Sequence, residues 1–99
     1  MLIIAGTIKA EIADWNAAHA AIERMCKASQ SESGCLAYQI YQHPADENSL
    51  FIFEKWQDEA ALNAHFQTPH MAEFNTYLST VNIVEMDIRR YDVSAESTL

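Results

Sequence analysis

The sequence predicts an α+β chain of ferredoxin-like split βαβ topology (βαββαβ), one antiparallel sheet with its helices on a single face. Three observations carry that expectation. Apolar periodicity switches between two and 3.6 residues in the order strand, helix, strand, strand, helix, strand. Each helical stretch opens on a capping signal, at Asp14, Asp58 and Thr68-Pro69. The third strand, Phe51 to Trp56, is largely apolar on both faces, so both faces need cover.

Leu2 to Ile8 reads as the first strand, with apolar residues on both sides. Asp14 caps a helix whose inward stripe is Trp15, Ala18, Ile22 and Met25. Ser29 to Gly34 ends that helix and turns the chain, with Gly34 free to take a left-handed conformation. Cys35 to His43 is the second strand, placing Leu36, Tyr38 and Ile40 on one face, and Pro44 closes it. The run Pro44 to Asn48 is turn-prone. In the third strand Leu50, Ile52, Glu54 and Trp56 share one face, and Phe51, Phe53 and Lys55 the other. Ala61, Leu62, His65 and Phe66 then form one face of a short helix. After the restart at Thr68-Pro69, Met71, Phe74, Leu78 and Val81 continue the apolar face. Asn82 to Val93 is the last strand. The expected division is one domain over residues 1–93 and a polar tail, 94–99.

Ninety-nine residues bury a modest share of their unfolded surface, so an oligomer interface would add materially to stability. An apolar fraction of 49% with only two glycines and two prolines supports a packed core. The net charge of −8 disfavours nucleic acid and anionic membranes as partners. With no apolar run near 20 residues and no leader pattern, a cytoplasmic protein is expected. Cys26 and Cys35 read as reduced thiols rather than a disulfide. Helices on one sheet face leave Phe51 and Phe53 on the other, which predicts a homodimer joined through its sheet faces.

Several stretches carry a resemblance. Glu54-Lys55-Trp56, Ala64-His65-Phe66-Gln67-Thr68-Pro69-His70-Met71, Glu85-Met86 with Ile88-Arg89, and Ser33-Gly34-Cys35-Leu36-Ala37-Tyr38 resemble the antibiotic biosynthesis monooxygenase family, most nearly its quinol monooxygenase branch. The likeness spans nearly the whole chain, and His-x-x-Thr-Pro-His-Met is its most specific part. It implies a dimeric α+β barrel with a pocket between sheet and helices. It also implies oxidation of a small quinol or phenol by O2 without metal or flavin, hence no cofactor. The chain departs from anthrone-oxidising members, which place Asn and Tyr where Ile52 and Leu62 stand. It departs from haem-degrading members, which carry Trp at the position of His65 and a ligating His near Asn75. Relatives that isomerise a phosphorylated signal-breakdown product share Glu54, His65 and Thr68-Pro69-His70, so a non-oxidative isomerase is the alternative. A binding module with a vestigial pocket is the third reading.

O2 reacts slowly with a neutral phenol and readily with its anion, so such an enzyme needs a base, a dry cage and orientation. His65 is the first candidate base, an imidazole on a packed helix face; a core histidine bonded to a carbonyl is the bland alternative. Glu54, a carboxylate between Ile52 and Trp56 on a covered face, needs a proton or a donor. It serves as base, orients His65, or makes a structural hydrogen bond. Trp56 is expected as pocket wall and donor or as plain core packing, His70 as a hydrogen-bond donor to ligand or a cap, and Tyr38 and Tyr77 as pocket hydroxyls, Tyr77 alternatively as core cover, with Ile52 lining. No metal site is expected, because His65 and His70, five apart across a proline, do not stack on one helical face. Met25, Met71 and Met86 read as core filler.

Overall fold

The computed structural model describes residues 1–99. Its elements run β1 (Leu2–Glu11), α1 (Trp15–Gln30), β2 (Cys35–His43), β3 (Asp46–Trp56), α2 (Glu59–Phe66), α3 (Pro69–Leu78) and β4 (Asn82–Asp92). The sheet is antiparallel throughout in the order β2-β3-β1-β4, the ferredoxin-like arrangement. The register sets Leu2 opposite Trp56, Ile4 opposite Glu54 and Tyr38 opposite Glu54, so these side chains share the helix-covered face.

Each helix starts where its capping residue stands. Asp14 Oδ1 accepts from Ala17 N at 3.1 Å and Asp58 Oδ1 from Ala61 N at 2.8 Å. Thr68 Oγ1 accepts from Met71 N at 3.2 Å and donates to the His65 carbonyl at 2.7 Å, closing one helix and opening the next. The buried line of α1 is Ala18, Ala21, Met25 and Ser29, rotated slightly from the expected stripe, with Trp15 and Ile22 only half-buried. Small alanines let α1 settle close on the sheet. Trp56, fully buried, anchors the main core with Leu2, Met25, Tyr38, Leu62 and Phe74.

Two strands exceed their expected bounds. β1 runs to Glu11 because β4 pairs along its full length, with a bulge at Lys9/Ala10. β3 begins at Asp46, leaving only Pro44-Ala45 as the turn. Side chains stand in for the ladder in this irregular stretch: Gln42 Nε2 donates to the Glu47 carbonyl at 3.1 Å, and Asn48 N to Asp46 Oδ1 at 3.1 Å. Gly6 is needed where β4 presses on β1, since a Cβ there would fall 2.0 Å from the Asp87 carbonyl oxygen. On the sheet face away from the helices, Tyr41, Phe51 and Tyr91 stand about half exposed. Ser94–Leu99 forms no regular element, though Glu96 pairs with Lys55. No helix is long and apolar enough to cross a membrane.

Candidate active site

A chamber of about 220 Å³ lies between the sheet and the helices. Its wall is mainly apolar, from Ile4 and Ile52 on the sheet to Met71, Phe74 and Leu78 on α3. Phe66 and Met86 also line it, and each is about half exposed, which marks the mouth. Three polar side chains face the space: Tyr38, Glu54 and Asn75. A volume below the roughly 300–1,000 Å³ of drug-sized pockets limits the occupant to a small molecule.

Glu54 is the charged group in that wall. Trp56 Nε1 donates to its Oε1 at 3.0 Å, and no other hydrogen bond reaches the carboxyl. Burial holds Glu54 above the usual carboxylate range; the indole N–H and the nearby His65 imidazole offset this in part, and the Glu32 charge adds to it. Strand alternation explains the placement: Ile52, Glu54 and Trp56 point to the same side, at successive depths. Burial also raises the Tyr38 phenol well above its ordinary value, so that hydroxyl stays protonated, aided by the Glu54 charge. Cys35 is pushed up to about 11 by burial and Cys26 is raised likewise, and both thiols are free.

His65 sits behind this wall rather than in it. It is 1% exposed, its ring 4.7 Å from that of Trp56 and 5.4 Å from that of Tyr38. Its Nδ1 lies 2.6 Å from Glu32 Oε2, and its Nε2 is buried without a hydrogen-bond partner. His70 Nε2 lies 2.8 Å from the same Glu32 oxygen. The expectation that a five-residue spacing keeps the two histidines apart is therefore overturned. The chain bends at Thr68-Pro69 between α2 and α3, and the bend swings His70 back toward His65, 5.8 Å between ring centroids. The three donor atoms of Glu32, His65 and His70 all lie within 4.8 Å of one another.

Three further expectations need correction. Trp56 holds Glu54 from behind and is not chamber wall, because it is buried completely. His70 faces Glu32 and a separate small cavity against Arg24 and Glu73, not the chamber. Tyr77 stacks on Phe74 at 6.2 Å and lines two other hollows; it lies one helical step off the Phe74–Leu78 stripe. Ile52 and Tyr38 do line the chamber, as do Met25, Met71 and Met86. The partner of His65 is Glu32 rather than Glu54.

Two site residues carry weak signals. Glu32 stands among serines in a polar turn and looks solvated. The turn folds back because Cys35 N donates to the Glu32 carbonyl at 3.1 Å and Gln57 N to the Gly34 carbonyl at 2.9 Å. Asn75 was visible: with Met71, Phe74 and Leu78 it completes an i, i+3, i+4, i+7 stripe, an amide on an apolar face.

Residues 1–77 match the family model described as antibiotic biosynthesis monooxygenase. "Uncharacterized protein sll1783" of Synechocystis is 32% identical over 98 residues, covering 99% of this chain and 67% of that one. A Bacillus subtilis protein named "Putative monooxygenase YcnE" is 28% identical over 72 residues, 73% of this chain and 76% of that one. Among solved structures, one from Deinococcus radiodurans aligns with TM-score 0.88 at 21% identity over 100% of this chain and 98% of that one. PA3566 from Pseudomonas aeruginosa aligns with TM-score 0.82 at 26% identity over 95% and 94%.

Proposed function

This chain belongs to the antibiotic biosynthesis monooxygenase family, and from that premise we propose that it inserts one oxygen atom of O2 into a small quinol or phenol bound in the chamber. The observation that carries the reading is Glu54, one carboxyl with a raised proton affinity set in an otherwise greasy wall. The raised affinity makes this carboxylate a stronger base toward a phenolic proton than an exposed one. The resulting anion hands an electron to O2, and the radical pair recombines at a ring carbon to give a hydroperoxide. Loss of water leaves the hydroxylated quinone, so one quinol and one O2 yield one hydroxyquinone and one water. The apolar wall keeps bulk water from quenching the pair.

In this scheme Glu54 accepts the proton, Trp56 fixes the carboxyl, and Tyr38 and Asn75 offer hydrogen bonds to the substrate's oxygens. Ile52 shapes the floor. His65, whose ring lies 4.7 Å from that of Trp56, backs the carboxyl and does not touch the substrate. A homodimer joined through the sheet faces covers Tyr41, Phe51 and Tyr91, the aromatic side chains of that face left half exposed in the single chain.

Oxygen-electrode assays over a panel of hydroquinones test the proposal. The expected outcome is O2 uptake stoichiometric with product, abolished under argon and reduced about 10²–10⁴-fold in Glu54→Gln with the fold intact. Equal turnover without O2 overturns it in favour of the isomerase, and no turnover of any panel member in favour of a binding module.

A further inference from the structure

We propose that Glu32, His65 and His70 bind one divalent transition-metal cation of the zinc class, at a site distinct from the chamber. Two imidazole nitrogens and one carboxylate oxygen are a donor set such ions prefer, with a fourth position left for water. They come from three separate places: the turn after α1, the last turn of α2 and the first turn of α3. Each is held by its own backbone and capping hydrogen bonds, so the site is largely assembled before any ion arrives. His70, whose side chain is 20% exposed, is the most solvent-accessible of the three.

The protons on His65 bear on the same site. Its Nε2 is buried and has no hydrogen-bond partner. Around it stand aromatic rings, Trp56 at 4.7 Å and Tyr38 at 5.4 Å between centroids. With no acceptor at Nε2, a neutral His65 carries its proton either on Nδ1, where it donates to Glu32 Oε2, or on Nε2. Put the proton on Nε2 and Nδ1 turns its lone pair on Glu32 Oε2, 2.6 Å away. A carboxylate also offers only lone pairs, so the two repel unless a positive centre lies between them. A divalent cation supplies that centre and takes the Nε2 lone pair of His70 as well. Ligand distances near 2.0–2.2 Å require the two contacts to Glu32 to open by about half an ångström while the histidine nitrogens, now within 4.8 Å of each other, draw together. Glu32, on a turn rather than a helix, is the ligand able to move.

Such an ion joins the α2–α3 bend to the α1–β2 turn, so its binding stabilises the fold and is read without any turnover. The test titrates chelator-stripped, full-length protein with zinc chloride, by calorimetry and by thermal melting. One ion per chain is expected, with a rise in Tm. His70→Ala, at a partly exposed position that tolerates truncation, and Glu32→Gln should each weaken binding about tenfold or more, by analogy with lost metal-site contacts. His19→Ala and His43→Ala, remote from the site, should leave it unchanged. In nitrogen-edited imidazole spectra of the unmodified chain, zinc should shift His65 Nδ1 and retain a proton on Nε2. Absence of saturable binding overturns the proposal. So does binding that survives both ligand substitutions, or spectra with His65 Nδ1 still protonated at saturating zinc.

Discussion

The chamber and the Glu32–His65–His70 knot meet at Trp56 and are built on opposite plans. The chamber has space and almost no polarity, and its one carboxyl is held by a single indole N–H. The knot has three polar groups within 4.8 Å of one another and no cavity at its centre. A carboxyl left short of donors in a dry wall has its proton affinity raised, which suits it to proton transfer. A carboxylate shared between two imidazoles has its oxygen committed, which suits it to holding parts of the chain in place. The contrast teaches that titratable side chains near a cavity divide by what else they touch, and that here the carboxyl facing the chamber is the least satisfied.

The sharpest way to break that contrast is Glu54→Gln, which keeps the shape and removes the base. Turnover should fall about 10²–10⁴-fold, the range for a lost general base, while zinc binding at the knot is untouched. Stability should move the other way. Because the folded-state affinity of Glu54 for its proton is raised, the folded chain holds that proton over a pH range where the unfolded chain has released it. Stability from this group therefore falls as pH rises from the ordinary carboxylate value to the raised one, and stays lower above it. Glu54→Gln should match the parent below that window and exceed it above, as read from urea midpoints across pH; parallel curves would show that the carboxyl carries no such penalty. Trp56→Ala, next in size, empties the junction between the two regions and should cost about 3–5 kcal/mol in urea unfolding. Trp56→Phe keeps the ring and drops the donor, so the acidic limb of the kcat/KM profile should shift to higher pH.

The fold was legible because each element announces itself locally. Asp14, Asp58 and Thr68-Pro69 cap the helices they precede, and the alternation of Leu50, Ile52, Glu54 and Trp56 shows which face is covered. Glu54 was legible for the same reason, since a carboxylate on an apolar face of a strand is visible from period alone. The knot was not. Glu32 lies 33 residues before His65, in a turn whose composition reads as solvated, and only the packing of that turn against the β3–α2 corner brings them together. His70 was misplaced because helical spacing was applied across a bend that changes the helix axis. The roles of Trp56 and Tyr77 depend on depth and on a single helical step, and neither is fixed by period.

A smaller effect sharpens the contrast from the knot's side. Glu32→Ala leaves the imidazoles without their shared oxygen and should cost about 1–3 kcal/mol, the penalty for stranding buried polar groups. Turnover should fall far less than in Glu54→Gln. Loss of activity as deep as in that variant would mean that the two regions work as one.

Gly34→Ala is the gentlest test, because it alters the turn that presents Glu32 without touching a polar group. Gly34 has φ of +84°, where an L side chain meets its own backbone at a cost of about 1–2 kcal/mol. A Cβ there would also fall 2.7 Å from the Ala61 Cβ and 3.1 Å from the Gln57 Cγ. The turn must therefore relax away from the β3–α2 corner, loosening the Gln57 N–H to Gly34 carbonyl bond. Glu32, two residues earlier, moves with it, and the first contact to lengthen is the one to His65, anchored on its helix. The His65 and His70 imidazole signals should shift in nitrogen-edited spectra while the titration of the Glu54 carboxyl moves less, since its burial and its donor on β3 do not depend on the turn. A displaced Glu54 titration with unmoved imidazoles would reverse the assignment of which region the turn supports.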